Sequence, residues 1–428
     1  MSKESFKVQG LSGKKTLKGI LPVMGSKNAV LPVMASSIIF KKPLELSNVP
    51  DIEDVYRMSE MFEKLGAEVK RVSKRKYIVS GNLVNKSEMD PEISKRFRAS
   101  VILTGPLLSR FGKVSFPYPG GCVIGKRPID LFLNGFEKMG ASIKEEGNKF
   151  IITAPRKGLQ GASIFFKVPS VTATETFVMA AILAKGTTYL KNIALEPEVT
   201  SLIEYLVGCG AKISGVGTTT LKIVGTGGRL LSPKPYKTIP DRLETGSFLI
   251  LGALSAKDLT ITNCNPEHVE ILIDLLKDSG VDIKVEKSSI RVRGRDKVRS
   301  FDIKTHEYPG FPTDLQAPTV VYLTQAIGES LVFETIFEGR LSFTEDLINM
   351  GANITLWDAH RATVKGPTKL KGREVDGPDI RAGLALLLAA IVSSGESIIN
   401  NVYYIDRGYE SIEDRFSKIG VKIERIKK

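Results

Sequence analysis

Two short segments carry the residue types best suited to chemistry. "YPGGCVIGKRPID", Tyr118 to Asp130, sets Cys122 among glycines and prolines and follows it with Lys126 and Arg127. Such a stretch is poor in helix and strand formers and reads as a flexible loop. The two cations would lower the thiol's pKa and a bound phosphate would raise it, so an arriving anionic substrate could itself keep the thiol protonated. The plain alternative is a small loop side chain, although cysteines kept for packing are usually buried. The second segment, "YPGFPTDLQA", puts Asp314 at the start of an apolar helix. An aspartate there could complement the helix dipole or act as a base toward a hydroxyl.

The elements that must position these residues recur along the chain. Six segments, among them "FEKLGAEVK", "FEKMGASIK", "LVGCGAKIS" and "FSKIGVKIE", read as the end of an amphipathic helix, a glycine cap and a strand. The cap glycines are Gly66, Gly140, Gly210, Gly280, Gly351 and Gly420, spaced by 74, 70, 70, 71 and 69 residues. All but the last copy continue into a turn and a second strand, and "FKVQG" (Phe6 to Gly10) supplies the strand that the sixth lacks. The N-terminus is thus expected to complete the last repeat and close a ring instead of leaving open edges.

Upstream of each cap lies a helix that is apolar nearly all round, such as "ETGSFLILGAL" and "IRAGLALLLAAIV", and so should be buried. Polar residues are confined to the first turns: Lys27 and Asn28, Arg98, Thr172 to Glu175, Asp241 to Glu244, Asp314, and Asp379 to Arg381. These six ends are expected to be equivalent and, if they converge, to form an anion-binding cleft. The fold class is therefore α/β: a two-domain inside-out α/β barrel of six repeated units, three per domain, with helices inside and sheets outside. Domain one is expected at 22–229 and domain two at 1–21 plus 230–428, joined by two crossings that permit hinge closure.

Composition narrows the function classes. With 42 % hydrophobic residues over 428 positions the chain can bury sizeable cores. The first ten residues have no apolar signal-like run, and "LALLLAAIV" is too short to span a bilayer, which points to the cytoplasm and no membrane partner. Cys122, Cys209 and Cys264, like His268, His306 and His360, are scattered, so neither a disulfide framework nor a metal site is expected, and no cofactor. A formal charge of +14 fits either a lysine-rich surface or a partner with several negative charges. Without a zinc finger, an RNP-like motif or a long basic block, nucleic acid is the weaker candidate.

The segments "GSKNAVLP", "RASVILTGPLL", "PGGCVIGKRPIDL", "EPEV", "PDRLETG", "YPGFPTDLQA" and "IDRGYESIEDRFSKIG" resemble those of the UDP-N-acetylglucosamine enolpyruvyl transferases, from about Gly19 to the C-terminus. The resemblance implies transfer of enolpyruvyl from phosphoenolpyruvate to the 3-hydroxyl of UDP-N-acetylglucosamine, the first committed step of peptidoglycan synthesis. It implies Cys122 as proton donor, Asp314 as base, and Lys27, Asn28, Arg127, Arg381 and Arg407 as residues that bind phosphoenolpyruvate, Lys27 and Arg407 also serving catalysis. UDP-sugar contacts are implied at Arg98, Arg127, Pro128, Ile129, Asp130, Leu131, Ser170, Val171, Thr172, Asp314 and Ile336. Asp379 would order the phosphate region, and Glu196, Glu198, Asp241 and Glu244 would form supporting ion pairs. Two positions depart from the pattern: Ser26 stands where alanine is common, and Thr172 where glycine is usual. The alternatives are the shikimate-pathway enolpyruvyl transferase, which lacks the cysteine segment, a paralogue acting on another nucleotide sugar, and a non-catalytic nucleic-acid-binding repeat protein.

Overall fold

The computed structural model describes residues 4–118, 120 and 129–427. Cys122, Lys126, Arg127 and Pro128 lie outside them. The six cap glycines all hold left-handed backbone, with φ from 88° to 107°, a conformation that glycine adopts without a Cβ penalty. Each ends an outer helix and turns the chain into a strand. The expected repeat is present six times.

The chain divides into two compact units. One takes in Met1–Met24 and Pro240–Lys428, and the other the described residues from Gly25 to Ile239. The crossings thus fall a few residues beyond 21/22 and ten beyond 229/230, because the linker residues pair within sheets. Leu231 bridges Phe40, and Tyr236–Lys237 runs parallel to Leu46 and Ser47. Likewise Leu17–Pro22 runs parallel to Ala256–Thr262, and the next amide, Val23 N–H, donates to Thr262 O at 2.8 Å. Each crossing segment therefore serves as the parallel edge strand of one sheet, and closure operates within each unit, three repeats at a time.

Six core helices follow the apolar segments: α1 (Lys27–Ser36), α2 (Thr104–Phe111), α3 (Val171–Leu183), α4 (Arg242–Ser255), α5 (Gln316–Leu323) and α6 (Ile380–Val392). Every residue of α4 and α6 is buried. Strands alternate between faces, as in Thr187–Lys191, where Thr188 and Leu190 are buried while Tyr189 and Lys191 are exposed. Among the described residues five sheets have four strands; the sixth, Lys113–Pro117 with Lys149–Thr153 and Ser142–Glu146, has three, with a bridge between Glu88 and Ser115 at its edge.

The six helix starts are not equivalent. Ser26, Ser170, Asp241 and Asp379 cap α1, α3, α4 and α6 with their side chains. α2 and α5 are instead entered through 3₁₀ turns, Arg98–Leu103 and Thr313–Leu315, without a side-chain cap. The expectation of six equivalent ends is corrected accordingly, since capping oxygens take one or two N–H groups at four of them. Ser26 supplies a cap that alanine could not, a difference of about 1 kcal/mol. Thr172 lies in the first turn of α3 with ordinary helical backbone, which a Cβ tolerates.

The N-terminal strand Glu4–Gln9 lies between Lys422–Lys427 and Glu396–Asn400, antiparallel to both. It fills the place that the second hairpin strand takes in the other sheets. Arg425 fastens it: its guanidinium bonds Glu4 at 2.9 Å, Asp406 at 2.8 Å and Glu413 at 2.6 Å, and covers the Phe6 ring. Deleting residues 1–10 should therefore remove amide hydrogen-exchange protection from 374–427 and leave 25–239 unchanged. Uniform loss, or loss centred on 25–239, would contradict the closure.

Candidate functional site

In the unit built on α4, α5 and α6, the three helix starts meet. Asp314 sits in the 3₁₀ turn before α5. One carboxylate oxygen accepts from Arg340 Nη2 at 2.7 Å and the other from Arg381 Nε at 3.1 Å. The arginine side chains are 3 % and 7 % exposed and the aspartate 27 %, so the carboxylate is the solvent-facing member of a buried ion triad. Asp314 remains the acidic residue of that first turn, as the helix-dipole reading expects, and is ion-paired besides. The turn can come this close to α4 because position 246 is glycine: a Cβ there would lie 2.4 Å from Leu315.

Arg381 stands in the first turn of α6, where the helix dipole disfavours a cation. Burial opposes its charge as well, yet Tyr409 and Asp314 hold its pKa above the usual arginine value. Its Nη1 donates to the Tyr409 hydroxyl at 2.8 Å, and its backbone N–H to the Asp379 cap at 2.7 Å. Tyr409 is itself buried, which raises its pKa and keeps it protonated. Asp241, capping α4, adds negative charge facing the same guanidinium.

Around this triad the remaining expected residues of the unit are fixed from below. Glu244 accepts from Arg415 Nη1 at 2.6 Å and from Met24 N–H at 2.6 Å, while Arg415 also donates to Pro22 O. This buried pair holds the first crossing in place, the supporting role expected of Glu244. Burial raises the Glu244 pKa and Arg415 lowers it. Arg407 is buried at the end of the helix Val402–Asp406, and its neighbour Asp406 is gripped by both Nη atoms of Arg425. Ile336 follows Glu334, whose carboxylate accepts its N–H at 2.9 Å.

The other unit carries the remaining described candidates. Lys27 Nζ, in the first turn of α1, donates to Asp54 at 3.1 Å, and both side chains are largely buried. Asn28 follows on the same turn, half-buried. Arg98 opens the 3₁₀ turn that precedes α2. Ser170, Val171 and Thr172 form the start of α3, and Thr174 ties that start inward by donating to Ser170 O at 2.7 Å and accepting from Ala194 N–H at 3.2 Å. Ile129 is buried before the helix Asp130–Lys138, with Asp130 exposed and Leu131 half-buried.

Glu196 and Glu198 begin the helix Pro197–Gly208, and they face Glu175 of α3. Glu175 is fully buried with Oε1 lacking a hydrogen-bond partner, so burial first, and the two glutamates second, push its pKa well above the carboxylate range. Glu196 and Glu198, expected as supporting ion-pair residues, thus face a third carboxyl whose protonated form is favoured.

Residues of these clusters that were not singled out from sequence include Arg340, Tyr409, Glu334, Asp54 and Arg415, and Glu175 as an acid. Tyr409 lies within the recognised segment "IDRGYESIEDRFSKIG", and Arg340, in "FEGR", four residues after Ile336. Nothing local marks Asp54 as the partner of Lys27, 27 residues away.

The neutral Glu175 has a consequence for pH. Its folded-state pKa exceeds the unfolded value, so the folded form holds the proton more tightly, and stability falls as pH rises from about 4.5 toward the folded pKa. Glu175→Gln should therefore raise the melting temperature at pH 7–8, with the gain shrinking toward pH 4. A variant less stable than the parent at pH 8 would show that the carboxylate is ionised and paired.

Residues 11–416 match the family described as EPSP synthase (3-phosphoshikimate 1-carboxyvinyltransferase). The chain is 44 % identical over 420 residues to UDP-N-acetylglucosamine 1-carboxyvinyltransferase of Koribacter versatilis, covering 97 % of this chain and 96 % of that one. It is 40 % identical over 415 residues to the enzyme of the same name from Thermodesulfovibrio yellowstonii, covering 97 % and 98 %. The crystal structure of the enolpyruvyl transferase NikO from Streptomyces tendae superimposes with a TM-score of 0.89 over the whole of both chains at 23 % identity, a likeness of fold. With identities of this size over nearly the full length of its relatives, and the enolpyruvyl transferase fold in both units, the chain belongs to the UDP-N-acetylglucosamine 1-carboxyvinyltransferases of the EPSP synthase family.

Proposed function

We propose that this chain transfers the enolpyruvyl group of phosphoenolpyruvate to the 3-hydroxyl of UDP-N-acetylglucosamine with release of phosphate, the first committed step of peptidoglycan synthesis. The observation that carries the reading is the Asp314 carboxylate, partly exposed and oriented by two buried arginines at the start of a buried helix. A carboxylate can accept up to about four hydrogen bonds, so one that is held by arginines can also receive a substrate hydroxyl.

Phosphoenolpyruvate becomes electrophilic at C2 only as C3 takes a proton. Cys122 supplies that proton while Asp314 takes the one from the sugar hydroxyl, whose oxygen bonds to C2. Loss of a proton from C3 then reforms the double bond as the C2–O bond to phosphate breaks. Lys27, Asn28, Arg127, Arg381 and Arg407 offset the phosphate and carboxylate charges. Arg98, Arg127 to Leu131, Ser170 to Thr172 and Ile336 hold the UDP-sugar. Among the described residues no helix is long and apolar enough to cross a membrane, and both substrates are charged metabolites, which supports a cytoplasmic location.

Phosphate release from phosphoenolpyruvate should occur with UDP-N-acetylglucosamine as sole acceptor and be absent with shikimate 3-phosphate. The opposite preference would overturn the assignment.

Asp314→Asn should lower turnover by a factor on the order of 10²–10⁴, the range for acid–base groups, while UDP-sugar affinity measured by calorimetry changes far less. Because the change also leaves two buried arginines short of a counter-charge, melting should be followed in parallel. Reduced stability with normal turnover would leave Asp314 as a structural ion-pair residue.

Cys122→Ser should lose most turnover, since a hydroxyl is a much weaker acid than a thiol. In the unmodified chain a small phosphonate-bearing electrophile should alkylate Cys122 first. Cys209 and Cys264 are buried, and burial pushes the Cys264 thiol up to about 11. Peptide mapping that finds Cys209 or Cys264 modified first would exclude a reactive Cys122.

A further inference from the structure

One buried carboxylate of the α5 region has no part in the chemistry above. Glu334 follows the strand Gly328–Phe333 and is wholly buried. Its Oε2 accepts from the Thr313 hydroxyl at 2.9 Å, and its Oε1 from the N–H groups of Ile336 at 2.9 Å and Phe337 at 3.1 Å. Its own peptide is held as well: its N–H donates to His360 O at 2.7 Å, and its carbonyl lies 2.7 Å from His360 Nδ1. A carboxylate placed in this way joins two segments that are far apart in sequence.

Both segments lead to Asp314. Thr313 is the residue before it in the 3₁₀ turn. On the other side, the Phe337 ring lies 5.2 Å from the Arg340 guanidinium, and Arg340 donates to Asp314. The contacts close a circuit from Glu334 through Thr313, Asp314, Arg340 and Phe337 back to Glu334. Thr335, within the same loop, is tied separately: its N–H donates to the Thr305 hydroxyl at 2.8 Å and its hydroxyl to Thr305 O at 2.5 Å. Burying a carboxylate is costly unless its acceptors are filled, and here three protein donors fill them. A strand end needs no such group for packing.

We propose that Glu334 is a positioning residue that sets the Asp314 carboxylate and the Ile336 backbone in one fixed relation, so that the acceptor sugar is held with its hydroxyl aligned to the base. The proposal rests on the enolpyruvyl-transfer reading. It assigns Glu334 and Thr313 to alignment of the acceptor and gives them no part in holding phosphoenolpyruvate.

The test is steady-state kinetics of Thr313→Val, Glu334→Ala, Glu334→Gln and the Thr313→Val/Glu334→Ala double variant, with each substrate varied in turn and melting recorded alongside. Misplacement of a reacting group by about 1 Å can cost about 10²-fold, so Glu334→Ala should lose about that much in kcat/KM for the UDP-sugar, and Thr313→Val about tenfold. KM for phosphoenolpyruvate should stay within about twofold of the parent, because Arg381, which bonds Asp314, is held independently by the Tyr409 hydroxyl and, at its backbone N–H, by Asp379. Glu334→Gln should recover most of the activity: its amide oxygen can accept both backbone N–H groups and its NH₂ can donate to the Thr313 oxygen. The double variant should be no worse than Glu334→Ala, since both changes break the same link. Thr313→Val removes a single hydroxyl, so it gives a reading even if Glu334→Ala fails to fold. Parent-like kinetics in Thr313→Val, equal losses toward both substrates, or no recovery in Glu334→Gln would overturn the assignment while leaving enolpyruvyl transfer intact. A parent chain that releases no phosphate with the UDP-sugar would overturn both.

Discussion

Helices α4 and α6 are buried along their whole length, and that constraint shapes the rest of the molecule. A helix surrounded by other helices and sheets has no side on which a charged residue can reach water. Its polar residues are therefore pushed to the one place where the backbone itself needs partners, the first turn with its unpaired N–H groups. Asp241 and Asp379 answer that need directly as caps. Arg381 does not, and its position is tolerated only because Asp314, Tyr409 and Asp241 surround it. Chemistry-bearing groups collect at these ends because nowhere else on a core helix can hold them.

The same constraint explains why the ends are so thoroughly cross-braced. A buried arginine without its counter-charge is destabilising by about 3–5 kcal/mol, so Arg340, Arg381 and Arg415 are each tied to a carboxylate. These ties also fix geometry. The Glu244–Arg415 pair reaches back to Pro22 and Met24 and sets where the chain leaves one unit, while the Arg425 cluster joins the N-terminal strand to the helix that ends at Arg407. Residues that look like surface charges in sequence thus act as internal fasteners. In the other unit the logic is reversed at Glu175, where burial among carboxylates makes the neutral form the stable one.

Much of this architecture is legible in the amino-acid order because it rests on local physics. A left-handed cap demands glycine, so the six-fold ladder from Gly66 to Gly420 could be counted directly. An all-round apolar helix must be buried, and a hairpin strand missing from the last repeat must come from elsewhere in the chain, which made the place of the N-terminal strand beside Lys422–Lys427 foreseeable, though not its register. The residue types in "PGGCVIGKRPID" and "YPGFPTDLQA" likewise announced a thiol with cations and an acid at a helix start.

What sequence could not supply were relations between residues distant along the chain. The carboxylate of Asp314 could be read as a dipole partner until folding placed Arg340, 26 residues on, and Arg381, 67 residues on, against its two oxygens. That Glu334 would turn inward and bind Thr313, or that Asp54 would meet Lys27, follows no periodicity, because a salt bridge or hydrogen bond is decided by which surfaces pack and not by spacing. The crossings fell beyond their expected places for the same reason: Tyr236–Lys237 looks like linker until Leu46 and Ser47 offer it an open strand edge. Residue order alone determined the repeats, their caps and the types of group at the helix ends. Only the tertiary structure decided which charges would be buried together, since desolvation, and with it the need for a partner, exists only once the chain has folded.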